Sequence, residues 1–225
     1  MEKREVKQWI TVNGNHIPLY DGDTKEQAVS RYIANKNESI KNKQIAENKK
    51  QTDKLSNKGN NSIKNTIPNG FGKDSISDNK IKDIIIDFQK KYANSDSEYG
   101  IVIDSSGKIT DKIGGNKKSV DMVAGKDKLS VHNHPSGNTM FSAKDLTLVG
   151  TDGMHGARGA VIVTNNGIAI IQTGKDFKAL EFGSRFYNPS FREKWDFASD
   201  KQCDEWLTKN QTKYNYKYTR INTKK

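Results

Sequence analysis

The chain has 225 residues, of which 32% are hydrophobic, a formal net charge of +11, a mean hydropathy of -0.88 and a single cysteine, Cys203. That length suits one ordinary domain with extensions, and the low apolar share leaves part of the chain outside any core. One cysteine excludes an internal disulfide and a cysteine-based zinc knuckle, so a metal site must use His, Asp or Glu. No apolar run reaches the length of a signal or a membrane span, so a cytoplasmic protein without membrane contact is expected.

The opening QWITVNGNHIPLYDGD sets Ile10 and Val12, then Ile17 and Leu19, around an Asn13-Gly14 turn, which predicts a short hairpin. Ala28, Tyr32 and Ile33 then follow a weak helical spacing, so residues 1–34 form a small hairpin and helix segment. Residues 35–77, rich in Asn, Lys, Ser and Gln, have the composition of a flexible linker. Ile81, Ile84, Ile85, Phe88 and Tyr92 fall on one helical face. YGIVID and KITDKI predict a hairpin across Ser105-Ser106-Gly107, and DKLSVHNH predicts a strand ending at two histidines.

SAKDLTLV then opens a helix with Ser142 as N-cap and Asp145 three residues on. ARGAVIVTNNGIAIIQ predicts a hairpin about Asn166-Gly167. Two helices are expected around 177–186 and 200–207, with 191–225 read as a C-terminal helix and basic tail. The order of elements predicts an α/β domain over 78–190, a mixed sheet flanked by helices, with a flexible N-terminal extension.

Four His occur in the chain, and two of them, His132 and His134, stand one residue apart in VHNHPSGNTMFSAKDL. Residues i and i+2 of a strand face the same way, so both imidazoles can reach one ion. Asp145, on the first turn of the next helix, can supply a third ligand and leave a fourth position of a tetrahedral zinc open, as in catalytic sites. A hydrolytic site also needs a proton carrier. Glu98 is the one glutamate between Glu47 and Glu181, and a neighbouring strand could bring it beside His132.

The pattern of Glu98, then His132-x-His134, seven residues, Ser142, two residues and Asp145, resembles the JAMM motif of the JAB/MPN metalloprotease family over about 50 residues. The HNHPSG wording is most similar to bacterial and phage JAB domains, RadC-like ones included. The resemblance implies a JAB/MPN fold, with Zn2+ held by His132, His134 and Asp145. It also implies Glu98 as general acid/base, Ser142 as hydrogen-bond donor to the oxyanion, and hydrolysis of a peptide or isopeptide bond. A protein or peptide substrate, including a ubiquitin-like conjugate, is implied as partner, while the short spacing from Glu98 to His132 departs from eukaryotic deubiquitinating members and their substrate-binding insertions. The opening WITVNGNHIPLYDGDT is similar to segments of phage head-morphogenesis and mobile-element proteins.

Blander readings stand beside these. His16 and His155 read as ordinary polar residues, and Ser142 as a helix cap. Glu98 also reads as a solvated residue at a strand start. The net charge of +11 supports contact with nucleic acid through a basic surface. Trp195, Trp206, Tyr214, Tyr216 and Tyr218 could stack on bases or simply pack. A nucleic-acid-binding protein or nuclease is therefore the alternative, and a metal-free JAB-like binding scaffold is a third.

Overall fold

The computed structural model describes residues 6–12, 15–32, 34, 62–114 and 122–223. The chain divides into two compact units, Met1–Gly59 and Asn60–Lys225. In the first, β1 (Val6–Val12) pairs antiparallel with β2 (Asn15–Tyr20). Ile10 and Ile17 face each other across the ladder and bury against Ala28 of a helix over 25–32. Arg31 lies over the Tyr20 ring, binds Asp23 at 2.8 Å and donates to the Pro18 carbonyl. The expected Asn13-Gly14 turn and most of the expected linker, 35–61, lie outside the described residues.

The second unit is built on a six-stranded sheet of order β4-β3-β5-β6-β7-β8. Its strands are β3 (Tyr99–Asp104), β4 (Ile109–Gly114), β5 (Lys128–Asn133), β6 (Gly159–Val163), β7 (Gly167–Thr173) and β8 (Tyr216–Asn222). Every pairing is antiparallel except β5 with β6, which are joined by helix α2 (Ala143–Met154). A parallel pair needs such a crossover, and the crossover carries α2 over one face of the sheet.

Strand alternation sorts the core into two layers. Ile101, Ile103, Leu129, Val131, Val161, Val163, Ile168 and Ile170 pack against α1 (Ser75–Tyr92) through its Ile81, Ile85 and Phe88. Ala160, Ile162, Ala169 and Ile171 face α2 and three further helices, α3 (Ala179–Tyr187), α4 (Pro189–Asp196) and α5 (Asp200–Tyr214). The result is a mixed α/β unit with helices on both faces of a mixed sheet. No helix among the described residues is long and apolar enough to cross a membrane.

Two expected boundaries move. Order begins before residue 78: residues 62–66 are helical, and Ile67 and Phe71 are buried against α1 and the sheet. The Asp78 carboxylate accepts from the backbone N–H groups of Gly70 (2.9 Å) and Gly72 (2.6 Å), which fixes the approach to α1. Ile67 and Phe71 bury their side chains here while the Asp78 carboxylate satisfies backbone N–H groups on either side of Phe71. At the other end, the expected helix is followed by a strand where a basic tail was expected, as far as Thr223. Trp195, Leu207, Tyr214 and Tyr216 enter the core, and β8 pairs with β7 from Tyr216↔Thr173 to Asn222↔Gly167. Of the lysines that suggest a solvated tail, Lys201, Lys209 and Lys213 stand on the helix Asp200–Tyr214 and Lys217 is exposed on the edge strand between Tyr216 and Tyr218.

Candidate metal centre

The site grows from the end of β5. Strand parity turns His132 toward the layer that holds α2, with Ser130 two residues before it on the same side. His134 follows just beyond the strand, and its backbone N–H still bonds the Val163 carbonyl at 3.3 Å. The turn His134-Pro135-Ser136-Gly137 closes with the Gly137 N–H on the His134 carbonyl, and Gly137 adopts φ +72°, a conformation open to glycine. Asn166 donates to the Gly137 carbonyl at 2.9 Å, which ties this turn to the β6–β7 hairpin.

Asp145 comes from the N-terminus of α2. Ser142 Oγ accepts from the Asp145 N–H at 3.1 Å, while Asp145 Oδ2 accepts from the Ser142 N–H at 2.8 Å and from the Ser142 hydroxyl at 2.7 Å. This capping box starts the helix and aims the carboxylate at the histidines.

Three ligand atoms converge as a result. His132 Nε2 lies 3.1 Å from His134 Nε2 and 3.4 Å from Asp145 Oδ1, and His134 Nε2 lies 3.4 Å from Asp145 Oδ2. Bonds of about 2.0–2.1 Å to one tetrahedral ion would place its ligands about 3.3–3.4 Å apart. The two 3.4 Å contacts use different Asp145 oxygens, and one ligand atom from each residue lies within 4.8 Å of the other two, a group that could hold a metal ion. His134 Nδ1 is 3.0 Å from the Asn138 carbonyl. A carbonyl only accepts, so that nitrogen carries the proton and Nε2 keeps its lone pair for an ion.

The electrostatics agree. Burial pushes the Asp145 carboxyl up, but the charges and hydrogen bonds of His132 and His134 outweigh it and hold the group well below the usual carboxylate range. Burial pushes His134 down, and the Asp145 hydrogen bond and charge, the Asn138 carbonyl and the Glu98 charge together raise it above its ordinary value.

Glu98 directly precedes β3. Gly100 pairs with His132 in the antiparallel β3–β5 ladder, so Glu98 reaches the level of His134. It is half-buried and lines a cleft of about 300 Å³ with His134, Asp145 and Ser142. Trp195 closes another side and donates from Nε1 to the Phe141 carbonyl at 2.9 Å, so the C-terminal helices form a wall of the site. The structure thus brings His132, His134, Asp145, Glu98 and Ser142 together. Ser142 spends its one hydroxyl proton on Asp145 rather than aiming it into the cleft.

His155 caps the far end of α2, about 15 Å along the helix from Asp145, given a rise of about 1.5 Å per residue. It lines a larger cleft of about 1150 Å³ with Lys126, Arg158, Lys175 and Lys217. That cleft offers no metal-ligating cluster; His132, His134 and Asp145 form the one such group found among the described residues. Trp195, Tyr214 and Tyr216 are core residues and offer no stacking platform.

Sequence reasoning passed over two residues. Asn133, buried between the two histidines, donates from Nδ2 to the Ser97 carbonyl (3.1 Å) and accepts on Oδ1 from the Tyr99 N–H (2.7 Å). Asp152, buried two turns beyond Asp145, accepts from the Ala124 N–H at 3.0 Å. A polar residue continuing the strand face of the apolar Leu129 and Val131 was the available signal for Asn133. Compared with protein-family models, curated proteins and solved structures, the chain finds no match.

Proposed function

We propose that the chain is a zinc-dependent hydrolase of the JAMM type, with a JAB/MPN-like sheet, that cleaves a peptide or isopeptide bond. One observation carries this reading: two imidazoles and a carboxylate whose ligand atoms lie within 4.8 Å of one another border a cleft that also contains a second carboxylate, Glu98. Two imidazoles and a carboxylate match the donor set of catalytic zinc, with one position left for water or substrate. His132, His134 and Asp145 would hold the zinc, which would supply Lewis-acid polarisation of a carbonyl and a water acidified to a pKa of about 7.

The chain's own groups do the rest. Glu98, at the cleft, takes up a proton from the attacking water and returns it to the departing amine. Ser142 holds Asp145 through the capping box and, with substrate bound, turns its hydroxyl to the carbonyl oxygen where negative charge develops. His134 is kept in the binding tautomer by the Asn138 carbonyl.

The test is a panel of fluorogenic peptide and isopeptide substrates, run with zinc-loaded wild type and Glu98→Gln. Glu98→Gln should keep its zinc and lose turnover by about 10²–10⁴-fold. Equal turnover in the two proteins would remove Glu98 from the mechanism, and no chelator-sensitive hydrolysis by the wild type would remove the protease reading.

A second reading rests on the cleft around Lys126, Arg158, Lys175 and Lys217 and on the net charge of +11, which favour a polyanion such as nucleic acid. Binding that weakens steeply with salt and is lost when these lysines are neutralised would support it.

A further inference from the structure

Glu98 stands in the short connection between α1 and β3, where no regular ladder holds it. The residues on either side of it are nevertheless both held by one side chain, in addition to the Ser97 N–H on Ser95 Oγ and the pairing of Tyr99 with Gly114. The Asn133 amide donates to the Ser97 carbonyl and accepts from the Tyr99 N–H, so one planar group grips the backbone immediately before and after Glu98.

Asn133 is 0% exposed. A buried amide is costly unless its donor and acceptor are both used, so the pair of bonds is an exacting arrangement rather than an incidental one. The backbone ladder between β3 and β5 ends at Gly100↔His132. The Asn133 side chain supplies an amide where the next backbone rung would fall.

Position in the chain gives this clamp its consequence. Asn133 lies between His132 and His134, and strand parity sends its side chain away from theirs. One tripeptide therefore carries two candidate metal ligands on one side and the anchor of the candidate proton carrier on the other.

We propose that Asn133 is a positioning residue that sets the distance between Glu98 and the metal site; this rests on the reading of His132, His134, Asp145 and Glu98 given above. Asn133 touches neither metal nor substrate. Its loss leaves the three ligands in place and frees the Ser97 carbonyl and the Tyr99 N–H, which loosens the backbone around Glu98 even though Tyr99 stays paired with Gly114.

The test uses Co2+ as a paramagnetic probe and needs no substrate. The carboxyl carbons of the glutamates are labelled with 13C, and the Glu98 resonance is identified by its absence in Glu98→Gln. In the wild type, Co2+ should broaden and shift that resonance. Asn133→Ala should bind Co2+ within about threefold of the wild type, since all three ligands remain, and its Glu98 response should fall several-fold. Asn133→Asp has the same volume and keeps an acceptor for the Tyr99 N–H, and it should show an intermediate loss; it carries the test if the alanine variant does not fold.

A Glu98 response equal to the wild type's in a folded, Co2+-loaded variant would overturn the assignment of Asn133 alone. A wild type that binds Co2+ without any Glu98 response would overturn the role of Glu98, and with it this inference. Failure of the wild type to bind Co2+ would overturn the metal site itself.

Discussion

Asp145→Ala tests the candidate metal centre most directly, because Asp145 would serve the ion and already caps the helix. Full zinc sites contribute about 10–16 kcal/mol from four ligands, so loss of one of them should cost about 3 kcal/mol, or roughly 10²-fold in Kd. Alanine also removes the acceptor for the Ser142 N–H, and half a capping box costs about 1 kcal/mol of stability in any case. Asp145→Asn separates the two effects, since its side-chain carbonyl can still accept from Ser142 while the charged ligand is gone. Competition for Zn2+ against a chromophoric chelator gives the affinities.

Thermal unfolding gives the linkage. At zinc 100-fold above the wild-type Kd, the metal should stabilise the wild type by about 2.7 kcal/mol, and a 10²-fold weaker variant by only about 0.4 kcal/mol. The pH dependence has a definite sign. The raised pKa of His134 contributes stability that is full below about 6.5 and lost as pH rises through the folded value, whereas the depressed pKa of Asp145 contributes stability above about 3.8 that is lost as pH falls. The zinc-free site is therefore most stabilising between about pH 4 and 6.5, and zinc, which needs a neutral imidazole, binds better above that window. Asp145→Ala with zinc affinity within about threefold of the wild type, or a wild type whose unfolding ignores zinc, would refute the reasoning.

Two more expectations concern the frame around the site. The buried Asp152 has one oxygen on the Ala124 N–H and no hydrogen-bond partner for Oδ1, and burial pushes its pKa up to about 6 against the pull of that bond and of His155. A raised carboxyl pKa means that ionisation destabilises the native state between about pH 4 and 6, by at most about 3 kcal/mol, so Asp152→Asn should flatten that part of the urea-unfolding pH profile; an unchanged slope would contradict it. At the crossing of α2 and α3, a Cβ at Gly150 would lie 2.5 Å from Gly183 Cα and 2.8 Å from its nitrogen, both backbone atoms. Gly150→Ala should therefore cost about 2–3 kcal/mol and lower Tm by roughly 5–10 °C, and a calorimetric Tm equal to the wild type's would show that the helices part without strain.

Much of the site was legible locally. The spacing of His132 and His134 on a strand, and of Ser142 and Asp145 at a helix start, follows from strand parity and capping chemistry, and the structure keeps both relations at 3.1 Å. The hairpins and α1 were legible for the same reason, because a period of two or of 3.6 is written into neighbouring residues. Residues 62–74 were not, since Ile67 and Phe71 are apolar points in a polar stretch whose burial depends on a sheet formed by distant residues.

By itself, then, the sequence determined the elements and the ligand types: which segments twist into helix or strand, and which side chains on one face can hold a metal. Only the tertiary structure decided that β3 pairs with β5, so that Glu98 arrives opposite His134, that Asn133 grips the backbone around it, and that β8 closes the sheet where a tail was expected. The reason is physical. Local periodicity and capping act over a few residues, whereas strand pairing joins segments some 30 to 50 residues apart, as Gly100 with His132 and Ile171 with Tyr218, and which pairs form depends on burying both faces of the whole sheet at once.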